Sequence, residues 1–132
     1  MTTGLSPAVA NDILDAIGNN SAVTTLPITE LWIQLHTGDP GSAGTANIAG
    51  NATRKQVSSG SPSGGAMAND AALTWSAGEV DTSEDYTHWS GWTASTAGTF
   101  IISGLVTANA VTVGDQFEIA VGDLDVTLST AG

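Results

Sequence analysis

Cysteine is absent from the 132 residues, so neither disulfides nor thiolate metal sites hold this chain together, and its redox compartment leaves no mark. Basic residues are almost absent. Arg54 and Lys55 stand alone against 13 acids, for a formal net charge of −11. A protein that neutralises phosphates needs clustered Lys and Arg, so nucleic acid is not an expected partner, and anionic membrane surfaces are disfavoured for the same reason. No apolar run approaches the roughly 18 residues that cross a bilayer. Met1-Thr2-Thr3-Gly4 lacks the basic stretch and apolar run of a secretory signal, so none is expected. Tandem repeats, heptads and a Gly-X-Y period are also missing. A long fibre shaft normally needs one of these, so the chain reads as a compact knob.

What remains is rich in Ser, Thr, Asn and Gly, a composition suited to sheets and turns. One helix is predicted over 6–17. Ser6 caps it, Pro7 suits its first turn, and Ala10, Ile13, Leu14 and Ile17 form an apolar stripe. Gly18 is placed to end it in the left-handed conformation. A helix of this length is not stable alone, so its stripe must pack on its own domain or on a neighbour. Strands are predicted at 29–37, 53–59, 71–77, 86–94, 98–104, 109–113, 116–121 and 124–129, with 59–66 as a flexible surface loop. The predicted fold is mainly β: an antiparallel, jelly-roll-like β-sandwich over 29–132, preceded by an arm and short helix in 1–28.

The last two strands offer an internal check. With Gly122-Asp123 as a two-residue turn, Val121 faces Leu124, Ile119 faces Val126 and Phe117 faces Leu128. All three pairs are apolar, whereas Glu118–Thr127 and Ala120–Asp125 fall on the other face. A hairpin with Gly122 at positive φ is therefore predicted.

Candidate chemistry is sparse. His36 lies near Asp39, and His88 near Glu84 and Asp85, but no Gly-x-Ser-x-Gly elbow accompanies them. The expectation is no catalysis, with His36 holding a tight turn and His88 on a strand face. Asp81, Glu84 and Asp85 form an acidic loop without the alternating ligands of a calcium loop, so neither metal nor cofactor is expected. Asn19 and Asn51 begin glycosylation sequons that carry no weight in so Asn- and Thr-rich a chain. Trp89 and Trp92, three apart on a strand, should point to opposite faces, one into the core and one toward a partner. Arg54 and Lys55 are expected to meet acids of a neighbouring copy. Ile13, Ile17 and Trp92 complete the expected subunit or capsid interface.

The run Leu31–Lys55 carries the most specific pattern. A short strand alternates Leu31, Ile33 and Leu35 with Trp32, Gln34 and His36, then turns at Gly38-Asp39-Pro40-Gly41. A Gly/Ala/Asn/Thr loop follows and ends at Thr53-Arg54-Lys55. With Thr87–Ala94, Gly98–Ile101 and Val113-Gly114-Asp115, this run resembles a family of small virion proteins of tailed actinobacterial phages. The resemblance spans roughly 30–128, and the members are described as head-decoration, head-fibre or minor tail proteins. It implies an antiparallel β fold, no enzymatic activity, and assembly at a virion surface. The expected function is capsid decoration. The alternative is a head-fibre or minor tail component, which could contact host-surface glycans. The expected partners are other copies in a homotrimer and the major capsid protein or other virion proteins.

Overall fold

The computed structural model describes residues 3–19 and 21–131, apart from the side chain of Ala108; Met1, Thr2, Asn20 and Gly132 lie outside it. Its first element is helix α1 (Pro7–Leu14). The Ser6 hydroxyl accepts from the Val9 N–H at 3.3 Å, and Pro7 occupies the first turn, as its fixed φ favours. Asp15–Asn19 then widens into a π-helical turn, and Gly18 does not take the expected left-handed conformation.

The buried face also differs from the predicted stripe. Val9 and Asp12 point inward, whereas Leu14 and Ile17 are 64% and 77% exposed. Two contacts orient the helix this way. The Asp12 carboxylate accepts the backbone N–H groups of Thr24, Thr25 and Leu26, drawing the following segment against its own face. The arm before the helix pairs with a strand: Ser6 N–H donates to Ile101 O at 2.7 Å and Ser103 N–H to Gly4 O at 2.8 Å.

The strands that follow are β1 (Trp32–His36), β2 (Lys55–Gln56), β3 (Ala66–Ala68) and β4 (Leu73–Trp75). After them come β5 (Glu84–Trp92), β6 (Phe100–Val111), β7 (Phe117–Ile119) and β8 (Asp125–Thr127). All pairings are antiparallel. They form a four-stranded sheet in the order β2-β1-β5-β6 and two ribbons, β3-β8 and β4-β7. The mainly-β class with one short helix is as predicted. Among the described residues the eight strands divide four, two and two, however, rather than into the paired four-stranded sheets of a jelly roll.

Two differences have local causes. The predicted strands 98–104 and 109–113 are one strand, β6. Its register slips where Tyr86 faces Asn109 but His88 faces Leu105, and this bulge breaks the alternation that marks a strand. The segment expected as a flexible loop turns tightly at Gly64-Gly65, with φ of 58° and 79°, and the Ser63 and Ala66 backbones exchange hydrogen bonds.

The predicted hairpin between 117 and 128 is not formed. β7 pairs with β4 (Leu73↔Ile119, Trp75↔Phe117), and β8 pairs with β3 (Met67↔Val126). Residues 66–75 and 117–127 are thus two sides of one bent ribbon, slipped by one residue at the bend. Asn69, 2% exposed, makes the bend: its amide nitrogen donates to Ala71 O and Ala120 O, and its oxygen accepts from Gly122 and Leu124 N–H, at 2.9–3.0 Å. Gly122 does adopt positive φ (83°), and Asp123 N–H does bond Ala120 O. The turn is real, but the strands leaving it diverge.

Leu73, Trp75, Phe117 and Ile119 of the ribbon close the core against Ile33, Leu35, Tyr86 and Trp89. Phe117 packs edge-on to Tyr86 (centroids 5.0 Å) and tilted to Trp75 (5.7 Å).

Candidate functional site

The strand β1 is buried on both faces, which its sequence does not suggest. Ile33 and Leu35 enter the apolar core, and the polar Gln34 and His36 are also 4% and 0% exposed. Residues 47–49 fold back along the β1 edge, with Thr37 N–H on Asn47 O and Ala49 N–H on Leu35 O. Gly38-Asp39-Pro40-Gly41 makes this return possible. The Asp39 carboxylate accepts the Gly41 N–H at 2.7 Å, the Asn47 amide donates to Asp39 O at 2.9 Å, and Gly41 has φ of 75°. Gly44, φ 72°, lies so close to the Phe100 ring that a Cβ there would sit 2.4 Å from it.

Under this loop runs a chain of buried hydrogen bonds. The Trp92 indole N–H donates to Ser90 Oγ at 2.7 Å, and Ser90 Oγ lies 2.7 Å from His36 Nε2. His36 Nδ1 is 2.7 Å from Ala46 O, a pure acceptor, so Nδ1 carries the proton. Nε2 is then the acceptor, and the Ser90 hydroxyl donates to it. Burial holds His36 below its ordinary value of 6.5, with His88 and Arg54 adding repulsion. A serine hydroxyl on a histidine is the opening arrangement of nucleophilic catalysis. Here, though, both side chains are fully buried and line neither of the two cavities described below. The geometry suits a latch that ties the 37–49 loop to β5.

Arg54 forms the second latch. Its guanidinium lies 4.3 Å above the Trp92 ring, and its Nη1 donates to Ala94 O (2.9 Å) and Ala97 O (2.7 Å). It thereby fastens the edge beside β2 to the turn between β5 and β6. Partial burial lowers its pKa from the ordinary arginine value. Lys55 meets Glu79 at 2.6 Å, and the second Glu79 oxygen accepts the Ser76 N–H, so the Glu79 carboxyl is held below its ordinary range. Both cations expected to face a neighbouring copy therefore have partners in their own chain.

The other expected site residues are dispersed. Trp92 is 8% exposed and Trp89 2%, so neither indole stands free, contrary to the expectation that one would; Trp32 is half-buried and donates to Glu30. His88 sits opposite His36 and 2.7 Å from Thr87 Oγ1. In the acidic loop, Glu84 accepts the Gly50 N–H at 2.8 Å, and no group of three metal-ligating side chains occurs among the described residues. Nor, among them, is any helix long and apolar enough to cross a membrane. Ser90, Asp12 and Asn69 carry no mark in the sequence. Each acts through partners between two and 55 residues away, and no local pattern marks them.

Two surface hollows flank these elements. One, about 500 Å³, lies beside β6 and β7 and carries Glu118, Asp123 and Asp125. The other, about 430 Å³, is an apolar groove between α1, the 26–31 segment, β3, β6 and β8.

Fold and site together define a small antiparallel β domain whose buried polar groups fasten loops to its central sheet. Comparison with known families gives the particular one. Residues 4–127 match the family described as Podophage GP4 fiber I protein gp80, and the chain belongs to that family. It is thus a phage structural protein associated with the virion. No curated protein matches it.

Proposed function

We propose that this chain is a non-enzymatic building block of fibres on the outside of a phage particle. The family match over almost the whole chain carries this reading. It favours the fibre alternative over capsid decoration, the first expectation from the sequence. The lack of a repeat keeps decoration as the second reading, because a shaftless knob suits a head lattice. In either case copies assemble with each other, with a homotrimer as the expected unit, and with other virion proteins. Those neighbours must tolerate a strongly acidic surface, since Lys55–Glu79 is the one salt bridge among the described residues. Quantitative mass spectrometry of density-purified virions tests the reading. The chain should be present in a fixed ratio to the capsid protein, and its absence would overturn the assignment.

A further inference from the structure

We infer that the apolar groove is a docking site for the exposed helix end of a second copy of this chain. Val9 and Ile13 of α1 form one wall, and Leu31, Val57, Met67 and Val126 contribute to the others. Val9 is 2% exposed and Ile13 half-buried, yet Leu14 and Ile17 just beyond stand 64% and 77% exposed. One short stretch thus supplies both an apolar hollow and apolar side chains of a size to fill it.

Charge selects the occupant. On a molecule of net charge −11, identical copies repel wherever carboxylates face each other. Of the fifteen described residues lining the groove only Glu30 is charged, and its carboxylate already accepts the Trp32 indole N–H. Along the helix, Asp12 is turned inward onto 24–26, and Asp15 is held by the Asn19 amide at 2.7 Å. The acidic hollow beside β7 offers no such meeting place for a chain whose two cations are already engaged.

Ile17 of one copy enters the groove of the next, so two different patches meet, and such a contact builds a ring where the rotation between copies closes and a filament where it does not. This rests on the reading of the chain as an assembling virion component. Virion composition tests that reading, whereas the following solution experiment tests the contact alone.

Sedimentation equilibrium of the full chain, with Ile17→Asp and Thr29→Trp, reads the contact from both sides. Ile17 is exposed, so its replacement leaves the fold intact, as unchanged circular dichroism will show. Thr29→Trp enlarges an exposed wall residue into the groove. Wild type should associate, Ile17→Asp should do so roughly ten- to a hundredfold more weakly, the factor for losing one buried aliphatic side chain, and Thr29→Trp, which obstructs the groove, should also weaken it. An equimolar mixture should recover association as far as one-to-one pairs, because one intact Ile17 then meets one intact groove. Mixed-label NMR should give intermolecular contacts from Ile17 methyls to Val57 and Val126. A wild type that stays monomeric at about 1 mM overturns the proposal. So does an Ile17→Asp variant that associates like wild type.

Discussion

His36 is where pH should enter this structure. It is fully buried as the neutral Nδ1–H tautomer, accepting from Ser90 and donating to Ala46 O. Protonation puts a second N–H against Ser90 Oγ, which already accepts from Trp92, and strands the hydroxyl proton. With its folded pKa depressed below 6.5, His36 binds fewer protons folded than unfolded. Its stabilising contribution is complete above that value and is lost as pH falls through the lower folded pKa. Asp12 and Glu79 are held below 3.8 and 4.5 by the hydrogen bonds they accept, from Thr25 N–H foremost and from Lys55, so they add a second loss in the more acid range. Calorimetry should show the melting temperature falling from pH 7 toward pH 5. In His36→Gln that part of the slope should vanish while the lower limb stays. Ser90→Ala should cost about 1–3 kcal/mol, because it leaves two buried partners unmatched. Arg54→Met, losing two carbonyl contacts and the stack on Trp92, should raise amide exchange in 93–98 while sparing the ribbon.

At the scale of elements, how far the fold can be read from sequence depends on the distance over which its signals act. Strand β1 and its turn were legible because Leu-His-Thr-Gly-Asp-Pro-Gly holds itself, through Asp39, Asn47 and two glycines within ten residues. The helix start was legible in Ser6-Pro7. Its inward face was not, because Asp12 and 24–26 decide it. The segment 117–128 is the most informative. Alternation on both sides of Gly122-Asp123 fits a hairpin and a bent strand equally well, and only the partner 66–75 distinguishes them. Asn69 chooses between the two, with four side-chain hydrogen bonds to residues two to 55 positions away. Asn69→Leu should therefore cost about 3 kcal/mol or more, by stranding buried donors and acceptors at 120–124. Were 117–128 a self-contained hairpin, the change would be mild. Gly122→Val meets open space, and only its φ of 83° opposes a side chain, so about 1–2 kcal/mol is expected. Thermal melts of the two variants give the comparison.

For the whole molecule, charge and packing set how it can assemble. Both basic side chains are committed internally, which leaves a surface of carboxylates interrupted by the groove at α1. Added salt should strengthen self-association by screening that repulsion, the reverse of its effect on an assembly held by ion pairs. Light scattering across a salt series checks the sign. The resemblance drawn from the 31–55 run implies a phage virion protein, and the match over 4–127 supports that coarser class and favours the fibre reading. Electron cryomicroscopy of purified virions, with gold-labelled antibody against this chain, tests the fibre reading most directly. Label on discrete projections outside the particle is the predicted result. A regular lattice of label over the head shell, or virions without label, would contradict it.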